Sequence, residues 1–203
     1  MISPEAIVHL SGIAATSLLG FALVFSLLGQ RRAAGISLWI FFALCLLFFG
    51  TRAYLKGFFP FTDKVESFMT LSLLIALCGM IYRDQVSNKE FTALLALSFA
   101  AAITTFVFED VIKYPTAYLR TLWYPMHVPF SFAAYAFWFL AGINSIFSSR
   151  LYRKLDESAT ERPLVTNLNR NGFIFFTLAM LFGGIWGYLA WGAYFMWDPK
   201  LLW

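Results

Sequence analysis

The sequence predicts an all-α fold, a polytopic membrane protein with six transmembrane helices, and three observations carry that prediction. Hydrophobic residues make up 60% of the 203-residue chain and charged residues 13%, about half the charge that clothes an average soluble domain. Six stretches contain no Asp, Glu, Lys or Arg: 6–30, 33–51, 67–82, 91–108, 121–149 and 171–197. A bilayer core takes about 20 apolar residues per helix, with a range of about 17–25; only the third stretch falls short, and Val65 and Tyr82 extend it. The cations divide unevenly between alternate sides. Arg31, Arg32, Arg83, Lys89, Arg150, Arg153, Lys154, Arg162 and Arg170 gather on one side, against Arg52, Lys56, Lys64, Lys113, Arg120 and Lys200 on the other. The richer side belongs in the cytoplasm, which puts both termini outside. The spans must be helices, because only a helix satisfies its own backbone hydrogen bonds in lipid.

Taken in order, the first span follows Met1-Ile2-Ser3-Pro4-Glu5. This start lacks the basic region of a cleaved leader, so the span is expected to stay, with His9 a few residues inside it. The second and third spans hold Cys45 and Cys78, each alone in an apolar run. Without CxxC or CxxCH spacing they read as packing residues, and the chain is not itself a c-type cytochrome. The longest polar segment, Arg150–Arg170, is too short for a soluble catalytic domain, and Asp156–Pro163 within it is the most polar and most flexible loop. The net charge of +4 resides in loops; it describes topology and does not point to nucleic acid. One integral-membrane domain, 1–203, covers the chain.

The segments with chemistry lie on the outer side. Four of the seven tryptophans, Trp186, Trp191, Trp197 and Trp203, fall in the last 18 residues. An interfacial aromatic belt accounts for Trp and Tyr at a span end, but not for Gly183, Gly184, Gly187 and Gly192 among the rings. Glycines that expose backbone beside aromatic rings suit a large, flat, apolar ligand at the membrane surface. If helix persists, Trp186 and Trp197 share a face; Pro199 disfavours helix at Asp198, where the run should turn out of the membrane. The fifth span opens with Leu122-Trp-Tyr-Pro-Met-His-Val-Pro129. His127 sits between two prolines near the start of that helix. It is either a hydrogen-bonded structural residue or, beside an aromatic platform, an axial ligand for haem iron.

These residues resemble the CcsA (ResC) type of cytochrome c biogenesis protein, a haem-handling family with a tryptophan-rich WWD motif. The family pattern W-A-x-x-A-W-G-x-Y-W-x-W-D-P-K-E-x-W is matched at Trp186, Ala190, Trp191, Gly192, Tyr194, Trp197, Asp198, Pro199, Lys200 and Trp203, with Gly187, Phe195 and Leu201 departing from it. Asn169, Arg170, Gly172, Phe173 and Thr177 loosely follow the family's entry to that span. Leu119, Trp123, His127, Val128, Tyr135 and Ala136 follow its histidine segment. Arg52, Gly57, Pro60 and Glu66 follow its R...G-x-F-P-x-x-N-x-Y-E loop, with Asp63 and Val65 in place of Asn and Tyr.

The resemblance implies a haem-binding subunit of a cytochrome c synthase (haem lyase) that presents haem b, as cargo, to the CxxCH cysteines of apocytochrome c. It implies His127 as axial ligand of the haem iron, and Trp186, Trp191, Tyr194 and Trp197 as porphyrin platform. Asp198 and Lys200 would stand near the polar edge, Lys200 pairing a propionate or remaining a solvated interfacial lysine. Arg52 and Glu66 read as structural residues of their loop. The expected partners are a ResB/CcsB-type membrane subunit, apocytochrome c, haem and the lipid bilayer, with no nucleic acid. The expected location is the cell inner (cytoplasmic) membrane, or the thylakoid membrane for a plastid-encoded chain. Family members continue past the motif with further spans and a second outer histidine, so the chain is expected to be C-terminally incomplete. His9 is then the one internal candidate for a second ligand, with helix capping as its alternative role. The competing readings are a small-solute or lipid transporter, whose sign would be ionisable groups deep in the spans, and a ligand-free structural membrane subunit.

Overall fold

The computed structural model describes residues 3–109, 111–152 and 163–195. Six long helices form: α1 (Pro4–Leu27), α2 (Arg31–Lys56), α3 (Lys64–Ile81), α4 (Asn88–Thr104), α5 (Trp123–Tyr152) and α6 (Pro163–Trp191). All six are long and apolar enough to cross a bilayer. Short 3₁₀ turns at Thr105–Val107 and Ala117–Leu119 punctuate the connection from α4 to α5. Helix α3 starts at Lys64, and Tyr82 caps it instead of extending it.

Each start has a chemical cause. Ser3 caps α1 through Ala6 N–H, and Pro4, which has no amide hydrogen to lose, opens the first turn. Asp63 with Glu66, and Ser87 with Glu90, form capping boxes at α3 and α4. In each, the side chain of the cap and that of the third helical residue satisfy amides that the helix leaves without acceptors. Gly57 ends α2 in the left-handed conformation, φ 59°, which glycine enters without a Cβ penalty.

Successive helices pack as hairpins, α1 with α2, α3 with α4, and α5 with α6; α4 also lies on α1, and α3 on α5. The core between them holds Leu19, Leu38, Phe41, Phe48, Phe91 and Leu94, with Cys45 and Cys78 buried as packing residues. Polar pairs lock the hairpins in register. Ser72 and Ser98 join α3 to α4, with Ser98 Oγ donating to the Ser72 carbonyl at 2.7 Å. Ser26 and Thr92 join α1 to α4 at 2.7 Å. Such bonds are worth about 0.6 kcal/mol each in a membrane interior.

The alternation of helices gathers the connections at two ends. At one end, Arg31 donates to the Val86 carbonyl, Asn88 to the Ser26 carbonyl, and Asn144 to Glu90 Oε1. At the other end, Phe68 stacks on Phe108, Lys64 lies over the Phe108 ring, and Trp186 reaches the Tyr118 carbonyl. The Asp156–Pro163 loop falls almost entirely outside the described residues.

Candidate functional site: an aromatic recess beside His127

At the second end, four side chains from the end of α2 and the start of α3, including its cap Asp63, form a compact and largely buried set of charges. Arg52, Lys56 and Glu66 are 0–2% exposed. Each carboxylate divides its oxygens between two tasks. Glu66 Oε2 accepts from the Thr62 and Asp63 amides, while Oε1 accepts from Arg52 Nε at 2.8 Å and meets Lys56. Asp63 Oδ1 takes the Glu66 amide, and Oδ2 takes Arg52 Nη2 at 2.8 Å and Lys56 Nζ at 2.7 Å. Burial alone would raise the Asp63 pKa. The Glu66 amide, the Lys56 ammonium and the Arg52 charge overcome that effect and hold the carboxyl below its ordinary range. Arg52 and Glu66 therefore do more than shape a loop: they tie the end of α2 to the start of α3.

The recess itself lies between α5 and α6 at the same end, with a cavity of about 440 Å³ lined by His127, Tyr135, Gly183, Trp186, Trp191 and Tyr194 among others. That volume falls within the range of about 300–1,000 Å³ usual for small-molecule sites. Helix α5 begins at Trp123, a turn ahead of His127, and Pro129 is accommodated inside it. The imidazole crosses to α6, where His127 Nδ1 lies 2.8 Å from the Ala179 carbonyl oxygen. A carbonyl can only accept, so Nδ1 carries a proton, and in the neutral imidazole the lone pair is on Nε2. A histidine that ligates a metal normally has its second nitrogen committed in this way.

Gly183 makes that crossing possible. A Cβ there would stand 2.6 Å from His127 Nδ1 and 2.8 Å from Cε1. Gly172 does the same for Trp138, whose indole nitrogen would meet a Cβ at 2.5 Å. Trp186 is held on three sides: its Nε1 donates to the Tyr118 carbonyl at 2.8 Å, Tyr124 lies 4.9 Å away, and Trp191 meets it edge-on at 4.7 Å. Tyr188 and Tyr194 stack at 4.6 Å.

One expectation about this segment is corrected. The helix does not persist to Trp197, and the turn does not wait for Asp198. Helix α6 ends at Trp191, because Gly192 adopts φ 75° and its amide bonds the Tyr188 carbonyl at 2.8 Å. The chain then folds back, bringing the Ala193 and Tyr194 carbonyls against Gly187 and Gly184. Those glycines thus admit returning backbone as well as leaving room beside the rings.

Of the candidate residues, His127, Trp186, Trp191 and Tyr194 line one recess. His9 lines two others, with Ser3, Glu5 and Val111, and with Phe48, Met69 and Phe108; it is not brought to His127. Trp197, Asp198 and Lys200 lie outside the described residues. Sequence reasoning missed Ala179, whose carbonyl fixes the imidazole, and Tyr124, which backs the Trp186 ring. Neither carries a local signal, since a carbonyl acceptor 52 residues away follows from helix pairing alone.

Fold and recess together define a class: a multi-pass helical membrane protein with a half-open aromatic recess and a tautomer-fixed histidine at one end of the bundle. Residues 62–203 match the family model described as cytochrome C assembly protein, and the chain belongs to that family. It is 28% identical to the protein NrfI of Wolinella succinogenes over 81% of its own length and 19% of that protein's. It is 26% identical to the cytochrome c biogenesis protein CcsA of Guizotia abyssinica, and 24% to that of Cyanidium caldarium. Those alignments cover 75% of this chain and 63% and 65% of the relatives, so the chain spans under two thirds of the curated relatives it matches.

Proposed function

We propose that the recess holds haem as cargo on the outer face of the membrane and presents it for covalent attachment to apocytochrome c. The observation that carries this reading is the His127–Ala179 bond, which engages Nδ1 and leaves Nε2 as the nitrogen of the neutral imidazole that can ligate a metal, beside an aromatic cavity. His127 is then the axial ligand, Trp186, Trp191, Tyr194 and Trp197 form the porphyrin platform, and Asp198 and Lys200 stand near its polar edge. Apolar burial contributes about 25 cal/mol per Å², so a porphyrin gains much of its affinity from the rings. Names of relatives containing cytochrome c biogenesis support the same reading.

In this proposal the chain forms one integral unit, 1–203, in the cell inner or thylakoid membrane with both termini outside. It works as a subunit of a cytochrome c synthase beside a ResB/CcsB-type partner, and the haem is haem b. The placement of buried ions favours cargo presentation over solute transport: among the described residues, Lys56, Glu66 and Glu90 occupy first or last turns and Arg52 lies one turn before the end of α2, whereas a transport path would place such groups at mid-span.

The test is the Soret band of the purified protein. His127→Ala should weaken or abolish it, and added imidazole should restore it by filling the vacated position. An unchanged spectrum in the variant removes His127 from the site. Cysteine labelling at Ser158 should require permeabilised membranes while labelling at Lys113 should not; the reverse pattern would put the recess on the cytoplasmic face and sink the proposal.

A further inference from the structure

Between the two 3₁₀ turns, residues 111–116 lie at the end of the bundle that holds the recess. The amides of Val111, Ile112, Lys113, Tyr114 and Thr116 donate to no backbone group among the described residues; the first carbonyl here to accept one is that of Thr116, from Leu119. Extended dihedrals bound the segment at Phe108 (φ −103°, ψ 148°) and Thr116 (φ −63°, ψ 157°), and Pro115 biases Tyr114 the same way. Ile112 packs on the core and Pro115 is buried, which fixes the segment to the bundle. Val111 and Tyr114 stand 50% and 71% exposed.

An exposed stretch whose amides have no partner among the described residues, and whose flanks at Phe108 and Thr116 are extended, can serve as a template for another strand. Its position adds a reason for one particular occupant. Tyr118, four residues beyond Tyr114, holds the Trp186 indole through its carbonyl. Extended chain spans at most about 3.3–3.6 Å per residue, so Tyr114 stands within about 14 Å of Tyr118 at the edge of the recess.

We propose that residues 111–116 are the docking strand for the acceptor polypeptide: an extended segment of apocytochrome c pairs with this main chain and is thereby delivered to the recess. This rests on the reading of the recess as a haem-presenting site. Main-chain pairing recognises an extended backbone and tolerates different side chains, so it demands no particular sequence of its occupant. The strand supplies orientation, and the recess supplies the reactive group.

The experiment uses the full chain in lipid nanodiscs, with and without haem, and a synthetic peptide containing Cys-X-X-Cys-His. Amide hydrogen exchange is followed at residues 111–116. Peptide should slow alternate amides at least about tenfold, as a strand ladder requires. The same peptide N-methylated along one edge should not. Lys113→Pro, which deletes one donor, should weaken peptide binding about tenfold with the Soret band unchanged, and Lys113→Ala should leave binding intact. Exchange that stays fast while the peptide perturbs the Soret band overturns the docking strand and leaves the haem reading standing. So does equal protection by the N-methylated peptide, or no peptide binding by either readout. Loss of the Soret band in the unaltered chain would instead overturn the haem reading, and the exchange measured without haem would still decide the strand.

Discussion

The two halves of the bundle are built to different tightness. Half of the α3 span is buried, and 39% of each of α1, α2 and α4, against 22% of α5 and 11% of α6. The first four helices are joined by polar pairs and a buried ion cluster. The α5–α6 hairpin is held mainly by its own rings, such as Phe130 against Phe175 and Trp138 against Phe176. The recess falls in the looser half. Regions that admit ligands are commonly drawn from the less stable parts of a fold. Here the tight half fixes the geometry of the end that holds the recess, and the loose half offers surface.

The largest break in this contrast should come from Arg52→Ala. Removing one partner of a buried ion set leaves uncompensated charge and costs about 3–5 kcal/mol. Thermal unfolding in detergent should show a fall of many degrees; a small change would mean that the tight half does not depend on its ions. Acid should act on the same cluster. Asp63 is held below its ordinary value, about 3.9 in a free chain, so its contribution is fully present above that pH. It is lost as pH falls through the lower folded value. An unfolding midpoint insensitive to acid in that window would contradict the assignment.

Gly183→Ala should separate the two halves. The new methyl displaces the imidazole from Ala179, and loss of such a supporting contact lowers metal affinity about 10–100-fold. The haem titration should shift by that factor while the unfolding midpoint of the first four helices holds. A common loss of both would show that the recess and the bundle are one cooperative unit.

Smaller effects sharpen the picture. Gly192→Ala forces a Cβ into a left-handed conformation at about 1–2 kcal/mol, which should appear as faster amide exchange at 193–195. Ser98→Ala removes both inter-helix bonds to Ser72, and about 1 kcal/mol, at about 0.6 for each, should register as a slight drop in the unfolding midpoint. If Ser98→Ala proved as damaging as Arg52→Ala, the ion cluster would lose its special standing.

The spans were legible because lipid leaves the backbone one solution, and charge-free stretches mark where it applies. The end of α6 was not. Pro199 gave a local reason to expect the turn at Asp198, but Gly192, legible only as a small residue among rings, breaks the helix first. The recess was half legible. Trp186, Trp191 and His127 stood out by type and clustering, whereas their fixing partners are the Tyr118 and Ala179 carbonyls, which every residue possesses. Asp63 read as a departure from a family pattern that has Asn there. In the folded chain its second oxygen is the counter-charge for Arg52 and Lys56, a role visible only once α2 and α3 lie side by side.

That cluster also bears on how the chain enters the bilayer. In the orientation proposed, the α2–α3 connection is exported, carrying Arg52, Lys56 and Lys64 against an inside-negative potential. Moving one charge costs about 2.3 kcal/mol per 100 mV, so three bare cations would require about 7. Asp63 and Glu66 travel with them and leave one net charge, or about 2 kcal/mol per 100 mV. The carboxylates that later secure the helix ends thus lighten the electrical work of placing them, and the loop reaches the far side already carrying the ions it will fold around.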